Sequence, residues 1–398
     1  MGYAFHMKTA AFKSGRARWL GLVSLSSLLA ACAPDPSASD TASDMGGSTE
    51  TTESSETGEG GVDGGEDGAD TGGTGGAQEL PGEDTTVVAF QDEHLFFGDE
   101  NRRQVDVEVS FPPEASLFSS VTLNFSLGCP NDNCDDWDRY GTLGVVENPG
   151  TDEERFIEIQ RFVTPYGIGG AWSVDVTMLQ PMLAGDLTLR VFIDTWVGPG
   201  HPQGDGWLFS ADFEFVGGTP NAIPDAVVPI WYERYNAGHP EMPIDAQVVD
   251  KTVEIPGTPK NAAIRSFITG HGFGNADNCA EFCPLNHTFT VNEVDHTQLV
   301  WRENCSVTGV PGQQGTWTFP RAGWCPGADA YPILEDVTAE VSGASSLDIR
   351  YALEDYVNEC RPDAPVCMGC VGGATCDDGH GQPYYYLSAM LVTFRASP

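Results

Sequence analysis

The sequence predicts an all-β protein with two antiparallel β-sandwich domains after a disordered N-terminal tether. Three observations carry this expectation. Apolar residues recur with period two. Val105, Val107, Val109 and Phe111 alternate with polar residues, as do Val121, Leu123, Phe125 and Leu127, then Leu187, Leu189, Val191 and Ile193. Period two is the signature of half-buried strands. No amphipathic helix longer than three turns stands out. The chain carries 47 Gly and 27 Pro among its 398 residues, so turns punctuate it throughout. Many short strands separated by turn residues favour sandwiches.

The elements follow in chain order. Lys8, Lys13, Arg16 and Arg18 form a positive segment ahead of the apolar run WLGLVSLSSLLAA, Trp19 to Ala31. That run is shorter than the ~20 apolar residues a bilayer-spanning helix needs and reads as a signal peptide over residues 1–31. It ends in Leu29, Ala30, Ala31 and Cys32, which resembles a bacterial lipobox, so Cys32 is the expected lipidation site. Residues 32–84 hold that cysteine and an acidic linker rich in Ser, Thr and Gly, with 14 acids and no bases. Such a segment buries too little apolar surface to offset its ordering entropy and reads as a self-repelling tether. The expected location is the bacterial cell envelope, exported, with membrane contact only through the lipid. A first domain is expected over 85–220, with Phe209, Phe213 and Phe215 near its end. A Gly/Pro-rich connector, Gly217 to Pro224, leads into a second domain over 221–398. Strand-like runs there are Ala226–Tyr232, Gln247–Ile255, Ala262–Thr269, Thr288–Val294, Gln298–Trp301, Asp336–Val341, Ser346–Tyr351 and Tyr384–Phe394.

Charge excludes whole classes of partner. The chain has 58 acids against 19 Lys and Arg, a net charge of −39. Removing the four bases of the signal leaves 15 bases and −43; the tether takes −14 of that, and the folded part keeps −29. Nucleic-acid backbones need clustered Lys and Arg, and anionic lipid needs a basic patch. Neither partner is expected, and the folded part is expected to be a monomer.

Eleven cysteines are too many for a reduced compartment without a metal cluster. With Cys32 lipidated, ten remain, enough for five disulfides. Cys129 and Cys134 bracket a tight turn, Cys279 and Cys283 bracket three residues, and Cys305 and Cys325 lie 20 apart. Cys360, Cys367, Cys370 and Cys376 form a late cluster that reads as two disulfides or a four-thiolate zinc site. Two carboxylates sit beside these short loops: Asp138, just after Cys134, and Glu281, between Cys279 and Cys283. A stapled loop aims its side chain in advance. Two carboxylates held near one bond can divide acid and base roles if their surroundings separate their pKa values. Trp137 and Phe282 beside them offer the desolvation that does so. Equally, Asp138 can pair with Arg139 or cap a turn, and Glu281 can be a solvated loop residue.

Several segments in order resemble the bacterial peptide-N-glycosidase F family of peptide-N4-(N-acetyl-β-glucosaminyl)asparagine amidases. They are CPNDNCDDWDRY at 129–140, FVTPY at 162–166, DTW at 194–196, GGTP at 217–220, AVVP at 226–229, NCAEFC at 278–283 and RAGWCPG at 321–327. The resemblance spans roughly 85–398. It implies two jelly-roll domains with a site in the cleft between them, and the pairings Cys129–Cys134, Cys279–Cys283 and Cys305–Cys325. It implies that Asp138 is the principal catalytic aspartate, that Glu281 is the essential glutamate meeting substrate through a water, and that Asp194 is a third acid. It implies that Arg139, Trp137, Trp196, Arg321, Trp324 and His271 line the cleft, with Tyr140 accompanying the first motif. The implied substrate is an N-linked glycoprotein or glycopeptide, cut at the amide between the innermost N-acetylglucosamine and Asn, with no cofactor and no metal.

This chain departs from the family pattern in places. Asp194 is one methylene shorter than the usual glutamate. The run Thr269, Gly270, His271 lacks a tryptophan at Thr269. The segment from Glu359 to Gly381 looks inserted. The departures at Asp194 and Thr269 favour the alternative of a non-catalytic carbohydrate-binding surface lipoprotein. A copper monooxygenase on a related double sandwich would need clustered histidines. His94, His201, His239, His271, His287, His296 and His380 include no His-x-His. The acidic turn from Asn131 to Asp138 lacks the regular ligand alternation of a calcium loop.

Overall fold

The computed structural model describes residues 80–114, 116–273, 279–361 and 382–396. The signal segment, Cys32, most of the tether, and Cys367, Cys370 and Cys376 lie outside the described residues. The described chain is nearly all β and forms four sheets in two domains. In the first domain, an outer sheet joins Ser116–Gly128, Trp207–Gly217 and Thr85–Phe97, with Gly170–Asp175 on the free edge of Ser116–Gly128. An inner sheet orders Arg155–Val163, Tyr140–Glu147, Asp186–Ile193 and Gln104–Ser110. In the second domain, one sheet orders Ile223–Asn236, Tyr384–Arg395, Asn261–His271 and Ile333–Asp336. The other orders Lys251–Glu254, Ser346–Leu353, Leu285–Val291 and Val294–Val300.

The alternation read from the sequence is the core. Val121, Leu123, Phe125 and Leu127 are buried beside Phe209 and Phe213 of the neighbouring strand, in one core cluster with Leu189, Val191 and Ile193 of the inner sheet. Phe125 packs against a tilted Phe162 and stacks beside Phe209, contacts worth about 0.5–1.5 kcal/mol each beyond their buried area. The runs Thr288–Val294 and Gln298–Trp301 prove to be one hairpin, Leu285–Val291 with Val294–Val300. Its two-residue turn, Asn292 and Glu293, has φ of 46° and 70°, the left-handed pair that suits the strand twist. Two strand expectations are corrected. Asp336–Val341 is the end of a strand followed by a helical turn, Thr338–Val341. Only Lys251–Glu254 of Gln247–Ile255 is strand, and Ile244–Gln247 is a helical turn.

Four strands are buried along nearly their whole length instead of alternating: Tyr140–Glu147, Arg155–Val163, Asn261–His271 and Tyr384–Arg395. The inner sheets of the two domains pack on each other through them, so both faces are covered. That interface is polar at its centre. Arg161 pairs with Glu158 at 2.6 Å, both fully buried. The Arg161 guanidinium also donates across the domain boundary to Thr269 Oγ1 (3.0 Å) and the Tyr386 carbonyl (2.8 Å), and Ser388 donates to Glu158. Arg265 donates back to the Ile159 carbonyl at 2.8 Å. Such a network adds little net stability, but removing one partner would strand a buried charge. It fixes one docking of the domains, and so the shape of the cleft at its edge.

Candidate active site

A cleft of about 990 Å³ opens where the two domains meet. Asp138, Asp194 and Trp196 of the first domain line it, with Glu281, Phe282 and Tyr384 of the second. The Cys129–Cys134 disulfide closes the turn just ahead of Asp138. This stretch leans on the segment around 200–206: Asp136 N–H donates to the Gln203 carbonyl (2.9 Å) and Asp205 N–H to the Asn133 carbonyl (2.9 Å). Gly204 has φ of +124°, and a Cβ there would lie 2.2 Å from the Cys134 carbonyl oxygen, so only glycine permits this approach.

Asp135 holds the motif in place. It is fully buried, and its carboxylate accepts Arg139 Nε (2.7 Å) and Nη2 (3.2 Å), Thr195 Oγ1 (2.7 Å) and the Trp137 N–H (3.0 Å). Arg139 therefore pairs with Asp135, not with Asp138. A two-pronged Arg–carboxylate pair fixes the plane of the guanidinium, which then stands in the cleft wall beside Asp138.

The Glu281 loop is closed by the Cys279–Cys283 disulfide. Its backbone is held on both sides: Glu281 N–H donates to Gly272 and the Glu281 carbonyl accepts Ala322 N–H at 2.9 Å. Gly270 allows the close approach, since a Cβ there would lie 2.5 Å from the Ala280 carbonyl oxygen. Arg321 Nε donates to Glu281 Oε1 at 3.2 Å. Arg321 differs from expectation. It is fully buried and lies behind the cleft wall, donating to the Thr316 and Phe319 carbonyls (3.0 and 2.9 Å) and to Thr316 Oγ1 (2.9 Å). Its planar fork suits this work. It holds Glu281 and the 316–319 turn and is not among the residues that line the cleft. The third disulfide, Cys305–Cys325, ties down the chain just after Arg321. Cys360 is disulfide-bonded too.

The two carboxylates differ in their hold on a proton. Burial raises Asp138 above the ordinary aspartate value, while Arg321, a hydrogen bond from the Tyr166 hydroxyl, and Arg139 pull it back. Burial, then the charge of Asp138, pushes Glu281 up to about 7, against the opposing pull of Arg321. Two like charges facing one cleft cannot both ionise easily. The result is a pair of carboxyls that both hold their protons more tightly than usual, with Glu281 exchanging its proton near neutrality, where acid–base chemistry can use it.

Aromatic side chains furnish the rest. Trp137, Trp196, Phe273 and Phe319 are about half exposed along the cleft. Trp324 is buried, with its indole N–H donating to the Gly270 carbonyl at 2.7 Å. His271 is sandwiched between Trp324 (5.2 Å) and Tyr384 (5.4 Å), with Nε2 3.0 Å from Thr269 Oγ1. Burial, then the nearby arginines, lowers its pKa to about 3, so it is a neutral wall residue. Tyr140 stacks on Tyr386 at 4.2 Å. Asp194 lines the cleft and pairs with Arg103 at 2.9 Å.

The structure thus brings Asp138, Glu281, Asp194, Arg139, Trp137, Trp196, Trp324 and His271 to one cleft, with Arg321 directly behind it. Sequence reading missed Asp135, Tyr166, Thr316 and Arg103. Asp135 alone carried a local signal, lying four residues before Arg139; the others meet their partners only through the fold. Among the described residues no group of three or more His, Cys, Asp or Glu is arranged to hold a metal.

Comparison with known proteins agrees with the geometry. Residues 144–203 match the model for the N-terminal domain of peptide-N-glycosidase F, and residues 240–392 match the model for its C-terminal domain. The chain is 30% identical over 276 residues to the peptide-N(4)-(N-acetyl-beta-D-glucosaminyl)asparagine amidase F of Elizabethkingia miricola, covering 66% of this chain and 75% of that one. It superposes on the structure of PNGase F, a glycosylasparaginase from Flavobacterium meningosepticum, with a TM-score of 0.66 and 25% identity. That match covers 80% of this chain and 97% of the other. It shares the fold of PNGF-II at 17% identity and a TM-score of 0.59, over 79% of this chain and 66% of that one. With its two-sandwich architecture and a carboxylate from each domain facing one cleft, this chain belongs to the peptide-N-glycosidase F family.

Proposed function

We propose that this protein is an amidase that hydrolyses the bond between the innermost N-acetylglucosamine of an N-glycan and its Asn, releasing the glycan and leaving Asp. The single observation that carries this reading is the pair Asp138 and Glu281: stapled loops of two domains aim them into one aromatic-walled cleft, and their proton affinities differ. The family supports the reaction class.

Ionised Glu281, held by Arg321, takes a proton from a water, which adds to the amide carbonyl carbon. The C–N bond breaks as ionised Asp138, beside the linkage, takes that proton over from Glu281 and passes it to the departing nitrogen. Arg139, fixed by Asp135, polarises the carbonyl oxygen as charge develops there. Trp137 and Trp196 present flat apolar faces to the sugar rings. The products are a 1-amino glycan, which then loses ammonia, and a peptide with Asp in place of Asn. Water supplies every atom gained. The carboxylate-spacing rule of glycoside hydrolysis does not apply, because the bond cut is an amide.

Incubation with an N-glycopeptide tests this: the peptide should lose its glycan and emerge one dalton heavier than its Asn form. Glycan binding without release would instead identify a carbohydrate-binding protein.

We further propose export and anchoring through Cys32. The disulfides support an oxidising location. Cys32→Ser should abolish incorporation of labelled palmitate; undiminished labelling would refute the anchor.

A further inference from the structure

We infer that Arg103 is a positioning residue for the glycan-holding wall of the cleft, acting through both Asp194 and Trp196. Arg103 Nη1 donates to Asp194 Oδ1 at 2.9 Å, and Nε donates to Asn101 Oδ1 at 2.9 Å. The guanidinium carbon lies 4.5 Å from the centroid of the Trp196 ring and 4.9 Å from that of Phe97. The two rings lie 5.2 Å apart. The side chain of Arg103 is 17% exposed, against 32% for that of Asp194. Its carbonyl accepts the Ile193 N–H at 2.9 Å, one residue before Asp194.

Trp196 is 53% exposed, so little apolar packing fixes it. Its ring lies against the guanidinium and against Phe97. A flat cation laid on an indole face restrains the ring while leaving the rest of it open. The same cation pairs with Asp194 Oδ1, and Asp194 lines the cleft. One side chain therefore sets the angle of a sugar-stacking ring and the aim of a carboxylate. This gives the short side chain at Asp194 a physical context: its reach is set by Arg103 as much as by its length. Lysine would keep the charge but lose the plane and the second donor.

The inference rests on the proposed amidase reading for its kinetic consequence only; the restraint on Trp196 is measurable without turnover. The experiment compares wild type with Arg103→Met, Arg103→Lys and Asp194→Asn. Glycopeptide release gives KM and kcat. Acrylamide quenching of tryptophan fluorescence, each protein against its own Trp196→Phe counterpart, isolates Trp196. Both Arg103 variants should raise KM by about tenfold with kcat within about threefold, the pattern of lost positioning and binding, and should increase quenching at Trp196. Asp194→Asn should fall between them and wild type on both readouts. If Arg103→Met fails to fold, Arg103→Lys and Asp194→Asn decide. Wild-type KM and quenching in Arg103→Lys would overturn the inference. A wild-type protein that releases no glycan would overturn the amidase reading and leave quenching to judge Arg103.

Discussion

The two stapled loops facing the cleft are built alike and behave differently. Each adjoins or lies within a short disulfide ring, is approached by a glycine whose added Cβ would meet a carbonyl oxygen, and presents one carboxylate to the cleft. Around Asp138 the protein supplies Arg139, Arg321 and the Tyr166 hydroxyl, which together restrain the effect of burial. Around Glu281 it supplies Arg321 and a backbone hydrogen bond from Gly272, while burial and the charge of Asp138 push the other way. The lesson is that the neighbours, more than the residue type or the loop, set how tightly each carboxyl holds its proton.

The largest way to break this comparison is Asp138→Asn, which removes both the group at the amide and the charge that burdens Glu281. Glycan release should fall about 10³-fold or more. The Glu281 proton should leave at lower pH than in wild type, which carboxyl NMR would show. An unchanged Glu281 titration would disprove the coupling.

Glu281→Gln should lower the rate roughly 10²-fold. Wild-type kcat should rise with pH through about 7, as Glu281 ionises; a rate that falls through that range would mean that Glu281 acts as an acid. The same group shapes stability. Below pH 4.5 it is protonated in both states. Between 4.5 and about 7 the unfolded chain ionises it while the folded chain keeps the proton. The folded state then binds more protons, so this residue's contribution falls across that window, by on the order of 3 kcal/mol, and levels off above it. Denaturant titrations of Glu281→Gln should lack that decline.

Gly270→Ala probes the scaffold beneath one loop only. The added Cβ would meet the Ala280 carbonyl and shift Glu281, with about tenfold to 10²-fold loss of rate. The Asp138 loop should stay in place, as hydrogen exchange at Asp136 and Asp205 would report.

The smallest effect concerns the whole body. A folded part of −29 should slow encounter with sialylated glycans relative to neutral ones at low salt, and added salt should remove the difference. Equal kcat/KM values at low salt would exclude such steering.

Much of this arrangement was legible in the sequence, and the exceptions share a cause. Period two marked Ser116–Gly128 and Asp186–Ile193 because one face of each is buried. It did not mark Tyr140–Glu147 or Arg155–Val163, which are buried on both faces by the domain interface. The cysteine spacing and motif order pointed to Asp138 and Glu281. No local pattern reveals that Arg321 reaches Glu281 from behind the wall, since that contact spans 40 residues. Arg103 reaches Asp194 across 91. Strand propensity misled at Asp336–Val341, where apolar spacing fits a short strand, but a turn of helix caps the strand Ile333–Asp336. There Thr338 N–H donates to Asp336 Oδ1 at 2.9 Å.

The central claim is that Asp138 and Glu281 together drive water onto an asparagine amide. It is tested most directly by digesting one N-glycopeptide in heavy-oxygen water with wild type and Asp138→Asn in parallel. The account predicts that wild type yields a peptide whose new Asp carries one heavy oxygen, together with an intact glycan, and that Asp138→Asn yields almost none. A peptide that retains one N-acetylglucosamine, or equal release by both proteins, would contradict it.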